Sequence, residues 1–143
     1  MIVALLLLVI NLFIFLNTNE PANLKIVKER YTILREHLRE NGDEDFKQLS
    51  NEIPLTAHRR PYFDTLGYNT NKGYEIGLCI DGEPNEIMHV LLHELAHSTV
   101  QEYDHSKEFW EKTRKLKKIS NELGIYEPIN NKTRFCTSYI QDK

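Results

Sequence analysis

Four of the six histidines in this chain of 143 residues lie between positions 89 and 105, in the segment HVLLHELAHSTVQEYDH. Within it, His93-Glu94-Leu95-Ala96-His97 forms an H-E-x-x-H pattern. On a helix, residues four apart lie on one face, so two imidazoles there can bind one Zn²⁺ ion. Glu94, beside the first ligand, is then placed as general base for a metal-activated water. The pattern predicts a hydrolytic zinc site with His93 and His97 as ligands.

A third ligand must come from outside the motif, and His105 is the best candidate by ligand type and flanking sequence. His105 follows His97 by eight residues, which on a continuous helix is about 12 Å, too far to share one ion. We therefore expect the helix to end near residues 100–102 and the chain to turn back, although QEYD offers no glycine for the turn. Glu108 and Glu111 remain alternatives as a carboxylate ligand.

The other histidines fit a metal site less well. His89 precedes His93 by four residues and shares its face, so it is expected to pack or hydrogen bond beneath the site. Pairing His89 with His93 as ligands would leave His97 unused. His37 and His58 have no metal-like spacing and are interpreted as solvated or locally hydrogen-bonded side chains.

Hydrophobic periodicity indicates the elements that must position these residues. The segment YEIGLCID, residues 74–81, alternates apolar and polar side chains and predicts a strand. A helix is predicted to start near Asn85 and to carry the motif, and a second helix to run from about Ser106 to Leu123. Shorter elements are expected in the segments 45–53, 59–73 and 126–140.

The first 16 residues, MIVALLLLVINLFIFL, are apolar except for Asn11, and no charge precedes Glu20. This length is near the lower limit for a membrane-spanning helix, about 17–25 residues. We predict a transmembrane anchor over residues 1–17, a juxtamembrane amphipathic helix over 18–42 and the site-bearing domain over 43–143. A cleaved signal peptide, which would make the protein secreted, is the alternative.

Charge and cysteine content indicate the cellular compartment of the domain and its possible partners. Lys25, Lys28 and Arg30 are the first basic residues after the apolar run, so the positive-inside rule predicts a cytoplasmic domain. Cys79 and Cys136 allow one disulfide at most, and in the cytosol both are expected to be reduced and packed as small apolar residues. The formal net charge of −3 gives no indication of nucleic-acid binding, and the composition indicates no oligomeric state.

The motif and its surroundings resemble a known family. HELAH followed by DHSKEFW resembles the WLM and SprT-like zinc metallopeptidases, in which a third histidine after the H-E-x-x-H helix is followed four residues later by Phe. Here these residues are His105 and Phe109, with Trp110 beside them. The similar segment covers about residues 60–140, and the arrangement with an anchor is similar to small members carried by large DNA viruses.

The resemblance implies an α+β, zincin-like fold in which a small antiparallel sheet packs on the H-E-x-x-H helix and a C-terminal helix. It implies Zn²⁺ bound by His93, His97 and His105, Glu94 as catalytic base, and hydrolysis of peptide bonds in a protein or peptide substrate. The interval from His97 to His105 departs from the more familiar H-x5-H spacing. The DNA-crosslinked substrates of some relatives are not carried over, because no DNA-binding extension is visible.

Substrate contacts are less specified by the sequence. An extended peptide is expected to pair with the edge of strand 74–81, where Gly77 permits close approach or relieves crowding. The oxyanion-stabilising residue is expected among Tyr103, Tyr126 and Tyr139. The alternative function is that of a zinc-binding but inactive structural or interaction protein anchored in a membrane.

Overall fold

The computed structural model describes residues 1–59 and 65–143, and these form an α+β fold, as predicted. Pro61, in the expected turn region 59–73, lies outside the described residues. In chain order the elements are α1 (Ile2–Asn17), α2 (Ala22–Asn41), a kinked 3-10 segment (Glu44–Ser50), β1 (Leu55–His58), β2 (Gly67–Thr70), β3 (Glu75–Cys79), α3 (Pro84–His97), α4 (Lys107–Glu122), β4 (Thr133–Phe135) and β5 (Ser138–Ile140).

The main sheet has three strands in the order β1-β3-β2, and it is mixed. The turn between β2 and β3 contains Asn71, Lys72 and Gly73, all with positive φ, and this tight connection makes the two strands antiparallel. Strand β1 pairs with β3 in parallel. The prediction of an antiparallel sheet was therefore wrong for this pair. A tight turn fixes the relative direction only of the two strands that it joins. Strands β1 and β3 are neighbours in the sheet, but β2 comes between them along the chain.

The position of β3 also overturns the expected role of strand 74–81 in binding a substrate at its edge. Both sides of β3 are occupied, because it lies between β1 and β2. Gly77 in this strand faces the ring of Tyr68, its partner on β2. A Cβ atom at Gly77 would lie 2.2 Å from Cε1 and Cζ of that ring. Of the two roles considered for Gly77, the structure supports the relief of crowding.

The predicted apolar stripe of α2 is buried in the same core as the strands and α3. This helix starts after Pro21 and stops before Gly42, whose φ of 58° is the left-handed conformation typical of a helix C-terminus. The division of the chain at residues 17 and 42 stays a prediction. The buried residues of α2 are Leu24, Val27, Tyr31, Leu34 and Leu38.

Helix α1 has no buried residue, and its apolar side chains are exposed. Among the described helices, none alone is long and apolar enough to cross a membrane. Helices α1 and α2 pass that test only when taken together, with a bend of 64° between them.

The two cysteines form a disulfide, Cys79–Cys136, across 57 residues of sequence. The prediction of two reduced cysteines was wrong. Cys79 ends β3, and Cys136 lies in the turn between β4 and β5, so the folding of this hairpin against the main sheet brings the two sulfur atoms together. Spacing along the chain carries no signal of that contact.

Replacing Gly77 with Ala tests the packing of Tyr68 on the sheet. The added methyl group must displace the Tyr68 ring, so we expect the free energy of unfolding to fall by about 1–3 kcal/mol in urea denaturation. In a Tyr68→Ala background the same change should cost clearly less. Equal costs in the two backgrounds would show that the ring does not limit the space at Gly77.

Candidate metal centre

The motif helix α3 begins earlier than the sequence suggested. Glu83 is the N-cap, Pro84 is the first helical residue, and the side chains of Glu83 and Glu86 form a reciprocal capping box. Asn85, the expected cap, instead exchanges hydrogen bonds of 2.8 Å with the backbone of Glu127. The helix ends at His97, before the predicted region of residues 100–102. This early end lets the chain reverse direction before His105.

The structure brings the three predicted histidines together. The ring centroids of His93 and His97 are 5.0 Å apart, and that of His105 lies 4.8 Å from the first and 5.0 Å from the second. One ring nitrogen from each residue lies within 4.8 Å of the others. The Nε2 atoms of His97 and His105 are 3.2 Å apart. Among the described residues this is the one group of three or more His, Cys, Asp or Glu side chains with such spacing.

The chain turns back after α3 because donors from the β2–β3 hairpin bind the carbonyl groups at the end of this helix. The ammonium group of Lys72 donates to the carbonyl oxygens of Val100 and Glu102, the latter at 2.6 Å, and lies 3.5 Å from that of His97. It also lies 4.6 Å from the ring centre of Tyr103. One side chain thus binds both ends of the turn that carries His105, which explains how the turn forms without glycine.

Asn69 completes this attachment between the hairpin and the helix. Its amide nitrogen donates to the carbonyl oxygen of Glu94 at 2.7 Å and to the hydroxyl of Ser98 at 2.6 Å. Its amide oxygen accepts from the backbone N–H of Gly73 at 2.7 Å. Asn69 and Lys72 were not identified from the sequence, because nothing in NTNKG signals contact with a helix more than 20 residues later.

Phe109, in the first turn of α4, packs against all three imidazoles. Its ring centroid lies 4.9 Å from His93, 4.4 Å from His97 and 4.8 Å from His105, and the side chain is fully buried. The hydroxyl of Ser106 accepts from the backbone N–H of Phe109 at 3.2 Å and caps α4. Phe109, which follows the third histidine by four residues, therefore packs against the imidazole cluster and supports it.

The cluster favours neutral imidazoles. Burial lowers the pKa of His93 to about 3, and the neighbouring His97 and His105 act in the same direction. Burial, His105 and Lys72 lower the pKa of His97 to about 4. Both rings are therefore neutral at pH 7, which is the form of imidazole that binds a metal ion.

Glu94 lies where two hollows meet on the surface of α3. The larger, of about 470 Å³, extends between the start of β2 and strand β5, and the smaller, of about 310 Å³, lies beside His97, Tyr103 and His105. Both are lined by Gly67, His93 and Glu94. Burial raises the pKa of Glu94 to about 7, a value suited to proton transfer, although a nearby dication would lower it.

His89 lies one turn before His93 and forms hydrogen bonds beneath the site, as expected. Its Nδ1 atom is 3.0 Å from the hydroxyl of Tyr126, 3.2 Å from Nζ of Lys117 and 3.2 Å from Oδ1 of Asp142. Asp142 also accepts from Lys117 at 2.5 Å and from Tyr126 at 2.7 Å. These contacts outweigh desolvation and lower the pKa of Asp142 well below its usual range. His89 is thus held by this polar group and is not part of the imidazole cluster.

The tyrosines proposed to stabilise an oxyanion and the carboxylates proposed as ligands differ in their position relative to the two hollows. Tyr126 is buried and donates to Asp142, so it does not face either hollow. Tyr103 lines the smaller hollow and Tyr139 the larger one. The carboxylates proposed as alternative ligands, Glu108 and Glu111, do not belong to the group of converging ligand atoms, and each is exposed and forms an ion pair of 3.8 Å within α4.

Comparison with known proteins agrees with this geometry. The model of the family described as WLM domain matches residues 44–136. This chain belongs to the WLM family. A viral relative, Uncharacterized protein R325 of Acanthamoeba polyphaga mimivirus, is 35% identical over 130 residues, which are 80% of this chain and 66% of that protein. The chain thus spans slightly less than two thirds of the length of this relative.

Two solved structures are similar to this protein. Wss1 from S. pombe is 28% identical, with 66% of this chain and 83% of that chain covered and a TM-score of 0.40. The metallopeptidase zymogen of Pyrococcus abyssi abylysin is 22% identical, with 67% and 97% covered and a TM-score of 0.38. Both TM-scores are below 0.5, so the assignment rests on the WLM match.

Lys72→Met tests whether this lysine holds the turn that carries His105. The substitution keeps an apolar stem but leaves the carbonyl groups of Val100 and Glu102 without their charged donor, and such hydrogen bonds contribute about 1.5–3 kcal/mol. Chymotrypsin cleavage after Tyr103 should become about tenfold faster or more, because the turn opens more often. Lys107→Met, which removes an exposed lysine nearby, is the control. Equal cleavage rates in the two variants would contradict this role.

Asp142→Asn tests the polar group beneath the site. It leaves the partly buried ammonium of Lys117 without its charge partner, so the free energy of unfolding at pH 7 should fall by about 2 kcal/mol. Because folding lowers the pKa of Asp142, its contribution is present above the unfolded value, near 4, and is lost as the pH falls below it. Denaturation at pH 7 and pH 3 should therefore show a smaller difference from wild type at pH 3. Asp104→Asn, at an exposed position, should change little at either pH.

Proposed function

We propose that this WLM protein is a zinc-dependent peptidase in which His93, His97 and His105 hold the metal. The observation that supports it most directly is the convergence of three imidazoles next to a buried carboxyl group in an open hollow. Two ligands of a tetrahedral zinc ion at about 2.0–2.1 Å lie about 3.3 Å from each other. The 3.2 Å between Nε2 of His97 and Nε2 of His105 fits that spacing.

When bound, Zn²⁺ supplies a Lewis acid that lowers the pKa of a coordinated water to about 7 and polarises a substrate carbonyl. The protein supplies the rest. The carboxylate of Glu94, which lines both hollows beside His93, would accept the proton of the attacking water and deliver it to the leaving amine. Phe109 and Lys72 hold the imidazoles and the turn, so the ligand set is preorganised.

An extended peptide is the substrate that fits the larger hollow. This hollow passes between the start of β2 and strand β5, with α3 as its floor. Within the described part of the sheet, β2 is an edge strand. The carbonyl oxygen of Gly67 accepts from the Thr65 hydroxyl at 2.7 Å, and a substrate would pair with the other outer backbone groups of β2. Main-chain pairing at a strand edge binds peptides largely without regard to side chains. We therefore assign the substrate-binding edge to β2 in place of β3.

The alternative is a zinc-binding protein without catalytic activity. A structural zinc site is usually closed by four protein ligands, and it has no need of a buried carboxyl group beside an open hollow. Glu94 lines both hollows and is therefore more consistent with an enzyme. Tyr103 and Tyr139 remain the candidates for stabilising the oxyanion, since both line these hollows.

Helix α1 is proposed to attach this peptidase to a membrane. Its 16 residues carry no charge, and none is buried against the rest of the protein. At 1.5 Å per residue its length is about 24 Å, short of a hydrocarbon core of about 30 Å, so tight insertion requires a thin bilayer or the contribution of flanking residues. An exposed apolar surface of this size needs a nonaqueous partner.

Metal analysis and peptide hydrolysis together test the proposal. Wild-type protein should contain about one zinc per chain, and His93→Ala, His97→Ala and His105→Ala should each lose it. Glu94→Gln should keep the zinc while the rate of peptide cleavage, measured on unfolded casein, falls by about 10²–10⁴-fold.

Glu108→Gln is the matched control, because it removes a carboxylate near the site that is not one of the three histidine ligands proposed here. It should keep both zinc and activity. Zinc that is retained in His105→Ala but lost in Glu108→Gln would show that the third ligand is the carboxylate of Glu108 and not His105. A folded wild-type protein without zinc would eliminate the enzyme in favour of a structural role.

A further inference from the structure

The disulfide indicates the side of the membrane on which the domain lies. Cys79 and Cys136 are bonded and both are buried. Disulfides persist in oxidising compartments such as the lumen of the endoplasmic reticulum and the cell exterior, and they are rare in the cytosol. The bond therefore favours a domain outside the cytosol, the opposite of the orientation predicted from the basic residues.

The basic residues give only weak evidence for a cytoplasmic domain. Lys25, Lys28 and Arg30 belong to α2, a helix that packs into the core of the domain and does not form a free flank next to the membrane. Lys28 also forms an ion pair with Glu20. Folded domains and long segments are translocated largely regardless of their charge. The apolar helix α1 is compatible with such delivery, because signal sequences and anchors both rely on a segment of this kind.

A third feature is an acceptor sequence for N-linked glycosylation. The chain contains one N-x-S/T sequence, Asn131-Lys132-Thr133. Asn131 and Lys132 are exposed in the bend that precedes β4. The Thr133 hydroxyl donates to the carbonyl oxygen of Asn131 at 2.9 Å, whereas the amide group of Asn131 makes no hydrogen bond with other described residues. The acceptor amide is thus available at the surface.

A glycan at this position is compatible with the proposed substrate cleft. The hairpin residues that line the larger hollow come from the turn and from β5, namely Thr137, Ser138, Tyr139 and Ile140. Asn131 precedes the other strand, β4, and does not line either of the two hollows at the metal centre. An oligosaccharide there can extend into solvent without filling the cleft.

We propose that the domain of this protein lies on the lumenal or extracellular side of the membrane and that Asn131 carries an N-linked glycan. Three independent observations support this: the exposed apolar helix α1, the disulfide between β3 and the β4–β5 hairpin, and the exposed acceptor sequence. The inference concerns compartment and modification, so it stands whether or not the protein cleaves peptides.

Expression of the full chain in cultured animal cells tests the modification. Wild-type protein should migrate more slowly on a denaturing gel than after treatment with an N-glycosidase. Asn131→Gln and Thr133→Ala should both migrate like the deglycosylated protein. Thr133→Ser is the matched control, because serine keeps both the acceptor sequence and the hydroxyl that contacts Asn131, and it should retain the shift.

Alkylation of thiols in the same cells separates the two parts of the proposal. Both cysteines should resist a maleimide reagent in denaturant until a reductant is added. A wild-type protein that shows no shift with N-glycosidase overturns the modification at Asn131, whatever the state of the cysteines. Free thiols on Cys79 and Cys136 in that protein would overturn the lumenal location as well.

Discussion

The site depends on the way in which the C-terminal end of α3 is closed. The last carbonyl groups of any helix lack partners within the helix, and here they must be satisfied in a turn only seven residues long that returns His105 to His97. The charged side chain of Lys72 binds carbonyl groups on both arms of that turn, and Asn69 binds the helix itself. The β2–β3 hairpin thus holds the turn that positions the third imidazole, that of His105. Because the same hairpin contributes the edge strand β2, the proposed metal site and the proposed substrate-binding edge share one support.

Burial of the cluster has two opposite effects that suit the same chemistry. Desolvation disfavours charge on any titratable group, so it lowers the pKa of His93 and His97 and raises that of Glu94. His93 and His97 therefore stay neutral and able to bind a cation, while the pKa of the Glu94 carboxyl group comes close to neutral pH. Phe109 contributes to this burial, because its ring packs against all three imidazoles at centroid distances of 4.4–4.9 Å.

The small β4–β5 hairpin contributes both a wall of the larger hollow and one cysteine of the disulfide. Its strand β5 forms one wall of the larger hollow, and its turn is bonded to β3 through Cys136. Asp142, directly after it, holds Lys117, Tyr126 and His89 under the motif helix. A two-stranded hairpin is only marginally stable alone. The disulfide and this polar group therefore fix the wall of the larger hollow, and the disulfide agrees with the proposed location in an oxidising compartment.

The sequence alone determined the features that rest on local periodicity. Spacing of four placed His93 and His97 on one helical face, alternation predicted β3, and the stripe of α2 predicted its buried residues. The flanking sequence of His105 pointed to the third imidazole. Each of these depends on residues close together in the chain, where helix and strand geometry are nearly fixed.

Only the tertiary structure decided the contacts between distant segments. The parallel pairing of β1 with β3, the attachment of Lys72 to the turn after α3 and the Cys79–Cys136 bond all join residues about 20 to 60 positions apart. The edge position of β2 follows from the strand order that this pairing creates. Such contacts form because elements pack to bury their apolar faces together, and which polar side chains then meet depends on the whole arrangement. No local pattern in the sequence encodes that outcome.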